Sequence, residues 1–218
     1  LSPFHGSTAQ QQIKSEIDIP IALPLLGEGE ANAAREAVLS GWVSRGPQVA
    51  VLEREFAAVV GAPHACAVSN CTTALHLALM TVNVGPGDEV ITTSHSFIAT
   101  ANSIRCCGAT PVLVDIDPET YNIDPACAAE AITPRTRAIL AVQMGMPCDL
   151  RALVSLAKRH GILLIQDSAC AAGSQIHIDG RWDPTAASME VLVNSPTRGL
   201  QVGNIGHQRS DGRLIARS

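Results

Sequence analysis

Between residues 27 and 167 the chain alternates two hydrophobic periods. In GEGEANAAREAVLSG the small and apolar residues Ala31, Ala34, Val38 and Leu39 share one helical face, and Gly41 supplies a stop. QVAVLEREFAAVVG repeats the pattern and ends on Gly61. Short β-branched runs follow at Cys66–Ser69, Val90–Thr93, Pro111–Val114, Ala138–Val142 and Ile162–Gln166, most of them separated by helix-compatible segments such as Thr72–Val82 and Asp149–His160. Runs that are apolar on both faces and joined by helices predict an α/β fold with a mostly parallel central sheet between helices. In such sheets ligands gather at the carboxyl ends of the strands, so the residues just past each run are the ones to inspect. From Thr185 to Ser218 the apolar period fades, which predicts a divergent, weakly structured tail. Residues 1–18 are expected to be a flexible lead-in, and 19–184 the folded domain.

Composition narrows the function classes. Of the 218 residues 46% are hydrophobic, well above what a disordered chain carries. The net charge is -5 with no lysine or arginine run, so nothing attracts nucleic acid or an anionic membrane. Apolar stretches break well before the roughly 18 residues of a bilayer span. The seven cysteines, at 66, 71, 106, 107, 127, 148 and 170, show no metal-ligand spacing and fit the reduced thiols of a cytoplasmic protein. The amino-terminal stretch LSPFHGSTAQQQ has neither the charge nor the apolar core of a signal peptide. Only Lys14 and Lys158 are lysines among 15 basic residues.

Three places hold candidate chemistry. Ser69-Asn70-Cys71-Thr72-Thr73 follows a strand and opens a helix, whose free N–H groups and dipole suit a phosphate; plain N-capping is the simpler alternative. Asp167 ends the run ILLIQ, where a buried carboxylate needs a cation or strong donor, such as a protonated ring nitrogen; a helix cap or an arginine salt bridge would also serve. Phe97, one of six aromatic residues, lies just past a strand, where it can stack on a planar ligand or fill core. His95 beside it lacks the partners of a metal or triad site.

Taken in order, the segments IPIALPLLGEGEANAAREAVLSGWVSRGPQVAVLEREFAAVVGAPHACAVSNCTTALHLAL, VGPGDEVITTSHSFIATANSI, GATPVLVDIDPETYNID, AITPRTRAILAV, QMGMPCDL and IQDSACAAGS closely resemble the amino-terminal half of the DegT/DnrJ/StrS sugar aminotransferases, over about residues 19–182. The resemblance implies the large domain of a pyridoxal-phosphate-dependent transferase of the aspartate aminotransferase fold (fold type I), with the carboxyl-terminal domain missing. It implies pyridoxal 5'-phosphate as cofactor, amino transfer to a keto sugar nucleotide with an amino donor such as glutamate, and a dimer.

The resemblance also gives residues roles. Cys71 and Thr72, with Thr73 in the same turn, match the positions that hold the cofactor phosphate, with Cys replacing a glycine. Phe97 matches the aromatic stacked on the pyridine ring, and Asp167 the carboxylate that keeps the ring nitrogen protonated. Cys170 stands where the family often has His or Gln, and Val142 where it often has His. Gly41–Pro47 resembles a loop at the substrate site and dimer contact. The family continues with a segment of the type S-F-H-P-T-K, whose lysine binds the cofactor covalently and then moves the proton. Against Val193-Asn194-Ser195-Pro196-Thr197-Arg198, that lysine position falls on Arg198. An unrelated, frameshifted tail is the alternative. Either way no lysine follows Lys158, and an arginine cannot replace one. The expectation is a chain impaired in catalysis that binds the cofactor weakly and noncovalently, or has lost it. The alternative is an interaction subunit that pairs with a complete homologue or a complementary carboxyl-terminal fragment.

Overall fold

Strands apolar on both faces can build a sheet only if both of its faces are covered. The computed structural model describes residues 26–42 and 44–171, and beyond them the backbone of four strands at 176–178, 181–183, 190–192 and 200–202. Helices α1 (Glu28–Leu39) and α2 (Pro47–Val60) lead into the short strand β1 (Ala65–Cys66). There follow α3 (Cys71–Thr81), β2 (Glu89–Thr93), α4 (Ala99–Cys106), β3 (Thr110–Val114), α5 (Pro125–Glu130), β4 (Thr136–Val142), α6 (Leu150–His160) and β5 (Leu163–Asp167). β6 (Ile176–Ile178) and β7 (Arg181–Asp183) form an antiparallel pair, while β8 (Glu190–Leu192) and β9 (Leu200–Val202) join the main sheet.

The seven-stranded sheet runs β1-β9-β8-β5-β4-β2-β3. β2 pairs in parallel with β3 and β4, β4 with β5, and β1 with β9; β8 runs antiparallel to both neighbours. Successive residues of the central strands feed two separate cores, as the pleat requires. Val90, Ala138, Leu140 and Ile165 pack with Ala74, Leu75, Ala78 and Leu79 of α3 and Ile104 of α4. Ile91, Ile139, Ala141 and Leu164 pack with Ala128 of α5 and Leu153, Leu156 and Ala157 of α6 on the other face. At the amino-terminal end of the sheet Glu89 accepts hydrogen bonds from Thr133 and Arg135, which hold its carboxyl below the usual carboxylate range.

The differences from the sequence expectation are local. The first strand is shorter than Cys66–Ser69, because the Ala67 amide donates to Glu53 Oε1 at 2.9 Å instead of to a neighbouring strand. α4 and α5, of eight and six residues, had no strong periodic signal of their own. β8 and β9 lie in the stretch expected to be a tail, and three-residue strands leave little pattern to read. The lead-in 1–18 and the remainder of 185–218, including Val193, Ser195 and Arg198, lie outside the described residues.

One tight turn matters for stability. Gly108 sits at φ +79°, and a Cβ there would lie 2.9 Å from Cγ of the Pro86 ring, which is too stiff to yield. Gly61 shares the left-handed conformation, at φ +70°, but faces open space. Gly108→Ala should therefore cost about 2–3 kcal/mol and Gly61→Ala about 1 kcal/mol. Urea unfolding midpoints of the two variants check the order.

Candidate functional site

The carboxyl ends of β2, β4 and β5 carry the residues singled out by sequence, and α3 starts beside them. Val142 and Asp167 are register partners on adjacent parallel strands. Asp167 is 5% exposed, and burial pushes its carboxyl above the ordinary value. Two donors partly offset this: the Ala169 amide at 3.0 Å and, more weakly, the Cys71 thiol at 3.9 Å. Both meet Oδ1, and among the described residues no cation pairs with the carboxylate. Among the described residues, therefore, no arginine salt bridge accounts for Asp167, and the residues that follow it to 171 form a turn rather than a helix.

Asn70 caps α3: its Oδ1 accepts from the Thr73 amide at 2.9 Å and the Thr73 hydroxyl at 3.1 Å, while Ser69 Oγ lies 3.2 Å from Thr73 Oγ1. The cap takes one of the first-turn donors and leaves the amides of Cys71 and Thr72 without intrahelical partners. Capping and anion binding are thus compatible in this turn. The Cys71 thiol is pushed up to about 12, first by burial and then by the charge of Asp167, so it is a protonated donor rather than a nucleophile. Its contact with Asp167 brings the start of α3 and the end of β5 together.

Phe97 is 74% exposed just past β2, so it is not core. His95 Nδ1 lies 3.1 Å from the Tyr121 carbonyl, and among the described residues no group of His, Cys, Asp or Glu could hold a metal ion. Cys170 is exposed in the turn after β5, and Val142 is buried at the end of β4. Sequence reasoning passed over Gln143 and Ser168, which are buried polar neighbours of Asp167. Gln143 had a faint signal, a polar residue directly after the apolar run AILAV, whereas Ser168, which follows Gln166 and Asp167, had none.

A helix amino terminus with open amides, set against a buried strand-end carboxylate that meets no cation among the described residues, fits a ligand with a phosphate at one end and a protonated ring nitrogen at the other. With helices on both faces of a largely parallel sheet, this defines the large domain of a fold type I pyridoxal-phosphate enzyme.

The chain belongs to the DegT/DnrJ/EryC1/StrS aminotransferase family, which matches residues 24–204. It is 44% identical over 202 residues to the spore coat polysaccharide biosynthesis protein SpsC of Bacillus subtilis (strain 168), covering 91% of this chain and 51% of that protein. The chain therefore spans about half the length of this curated relative. Among solved structures it resembles 3-amino-5-hydroxybenzoic acid synthase, with TM-score 0.69 and 40% identity over 76% of this chain and 43% of that one. It also resembles the pyridoxal-phosphate form of the putative sugar aminotransferase Spr1654 of Streptococcus pneumoniae, with TM-score 0.68 and 33% identity over 72% of this chain and 44% of that one. The family and its solved members indicate pyridoxal phosphate as the cofactor. Among the described residues no helix is long and apolar enough to cross a membrane.

Proposed function

We propose that this chain is the cofactor-domain part of an aminotransferase acting on keto sugar nucleotides, for amino-sugar or polysaccharide biosynthesis, and that by itself it binds pyridoxal phosphate without covalent attachment and does not transfer amino groups. The observation that carries the reading is Asp167: a buried carboxylate that pairs with no cation among the described residues, 3.9 Å from the first residue of a helix whose amides are open. Asp167 would accept the ring N–H, the amides of Cys71 and Thr72 with the hydroxyls of Thr72 and Thr73 would hold the phosphate, and the exposed Phe97 would cover a ring face. When bound, the cofactor supplies an electron-withdrawing ring that eases proton loss from the carbon bearing nitrogen.

What the chain lacks is the residue that joins the cofactor and moves the proton. Arg198 occupies the aligned position, and a guanidinium with a pKa above about 12 neither attacks a carbonyl nor releases a proton near neutrality. Cys170, where the family often has a stronger donor, leaves one hydrogen bond fewer for the ring substituents. Seven free cysteines suit a reducing compartment, the cytoplasm.

The test is a titration of the chain with pyridoxal phosphate followed by absorbance, then borohydride reduction. Saturable binding that dialyses away and leaves no lysine adduct is the expected result. A stable lysine adduct, together with amino transfer to a keto sugar nucleotide, would falsify the claim of lost catalysis.

A second reading, a noncatalytic subunit, draws on α1 and the loop after it. No residue of α1 is buried, and Val38, Leu39 and Trp42 are each more than 60% exposed. Such an apolar face suits a second copy, a complete homologue or a complementary carboxyl-terminal fragment. Size-exclusion chromatography with and without a complete homologue separates the readings, since a monomer indifferent to it argues against this one.

A further inference from the structure

Next to Asp167 lies a buried polar cluster to which the proposed function gives no role. Gln143, Gln166 and Ser168 are each at most 3% exposed. Gln143 follows β4, and its backbone N–H donates to the Asp167 carbonyl at 2.9 Å. Its Nε2 donates to Ser168 Oγ at 2.8 Å and to Gln166 Oε1 at 3.1 Å. Gln143 Oε1, at the other end of the carboxamide, has no partner among the described residues. Exchanging the amide's oxygen and nitrogen would only move the unmatched atom, because both contacts lie at one end. A residue kept for packing alone would be apolar, since methionine fills similar space and leaves no polar atom unmatched. The engaged half of the carboxamide must therefore account for the residue. What it holds is the turn after β5, where the Ala171 amide closes on the Ser168 carbonyl at 2.9 Å and the Ala169 amide donates to Asp167 Oδ1.

We propose that Gln143 is a positioning residue for Asp167: main chain to the Asp167 carbonyl and side chain to Ser168, it brackets the strand end and fixes the turn whose Ala169 amide orients Oδ1. The inference rests on the reading of Asp167 as the partner of the ring nitrogen, yet the geometry it invokes belongs to the unliganded chain.

The experiment follows the Asp167 carboxyl by carbon NMR through a pH titration of the unliganded protein, with the resonance assigned by Asp167→Asn. Gln143→Met, Ser168→Ala and the double variant are compared with wild type. Loosening the turn weakens the Ala169 bond, which favours the ionised carboxylate. Each single variant should therefore raise the midpoint by roughly half a pH unit, and the double variant no further, because both act through one contact. Affinity for pyridoxal phosphate should fall about fivefold in each. A midpoint unmoved in the single variants, or shifts that add in the double, overturns the proposal. If Gln143→Met does not fold, Ser168→Ala makes the same measurement. Failure of wild type to bind pyridoxal phosphate would defeat the functional reading, while the midpoint would still decide the role of Gln143.

Discussion

Asp167→Asn should make the unliganded protein more stable near neutral pH and make it bind pyridoxal phosphate far more weakly. Burial raises the Asp167 carboxyl above its unfolded value. The folded state then binds more protons than the unfolded state between the two values. Stability is full below the ordinary carboxylate range, is lost as pH rises through the raised folded value, and stays lower above it. Asparagine carries no charge to desolvate, so that loss disappears and the thermal midpoint becomes flat across the window. The same change removes the anion that a protonated ring nitrogen needs. Taking one partner from a buried pair costs about 3 kcal/mol, on the order of a hundredfold in affinity. Thermal unfolding from acid to neutral pH, with and without cofactor, gives both signs in one series. Equal cofactor binding by variant and wild type would remove Asp167 from the site.

Arg198→Lys should turn a dialysable complex into one that borohydride fixes. The substitution puts an amine with a titratable proton where the alignment sets the family's lysine, in a sequence whose other lysines are Lys14 and Lys158. Cofactor retained through dialysis is expected to rise from none to most of the protein, with the reduced adduct mapping by mass spectrometry to residue 198. An adduct found only at Lys14 or Lys158 would show that the Pro196-Thr197-Arg198 alignment is accidental. Lys158 is a weak competitor, because it lies in the last turn of α6 beside Arg159 and His160, at the end of a helix away from the strand ends that carry the site.

Much of the fold could be read from the chain because its central strands are short apolar runs bounded by glycine, proline and caps. β2, β3, β4 and β5 each lie within two residues of the expected runs, and Asp149 caps α6, with its side chain accepting from the Ala152 amide at 3.0 Å. Asp167 was visible for the same reason: a carboxylate at the end of an apolar run has few ways of being tolerated. Gln143 was not, since a glutamine at a strand end is ordinary in sequence and becomes telling only when its burial and unmatched oxygen are seen. The role of Cys71 also needed three dimensions, because its thiol meets a carboxylate 96 residues away. For Phe97 the sequence left core and ligand stacking open, and exposure removes the first.

α1 is a twelve-residue helix with nothing buried, fastened at its start by the Gly27 amide donating to Glu30 Oε2 at 2.8 Å. Helices of that length are marginal in water unless tertiary packing supports them. The free energy of opening α1 in a lone chain is therefore near zero and independent of the unfolding of the sheet, which makes it a separate cooperative unit. The described residues supply no packing that would hold its order, so α1 can open and close while the sheet and its flanking helices stay intact.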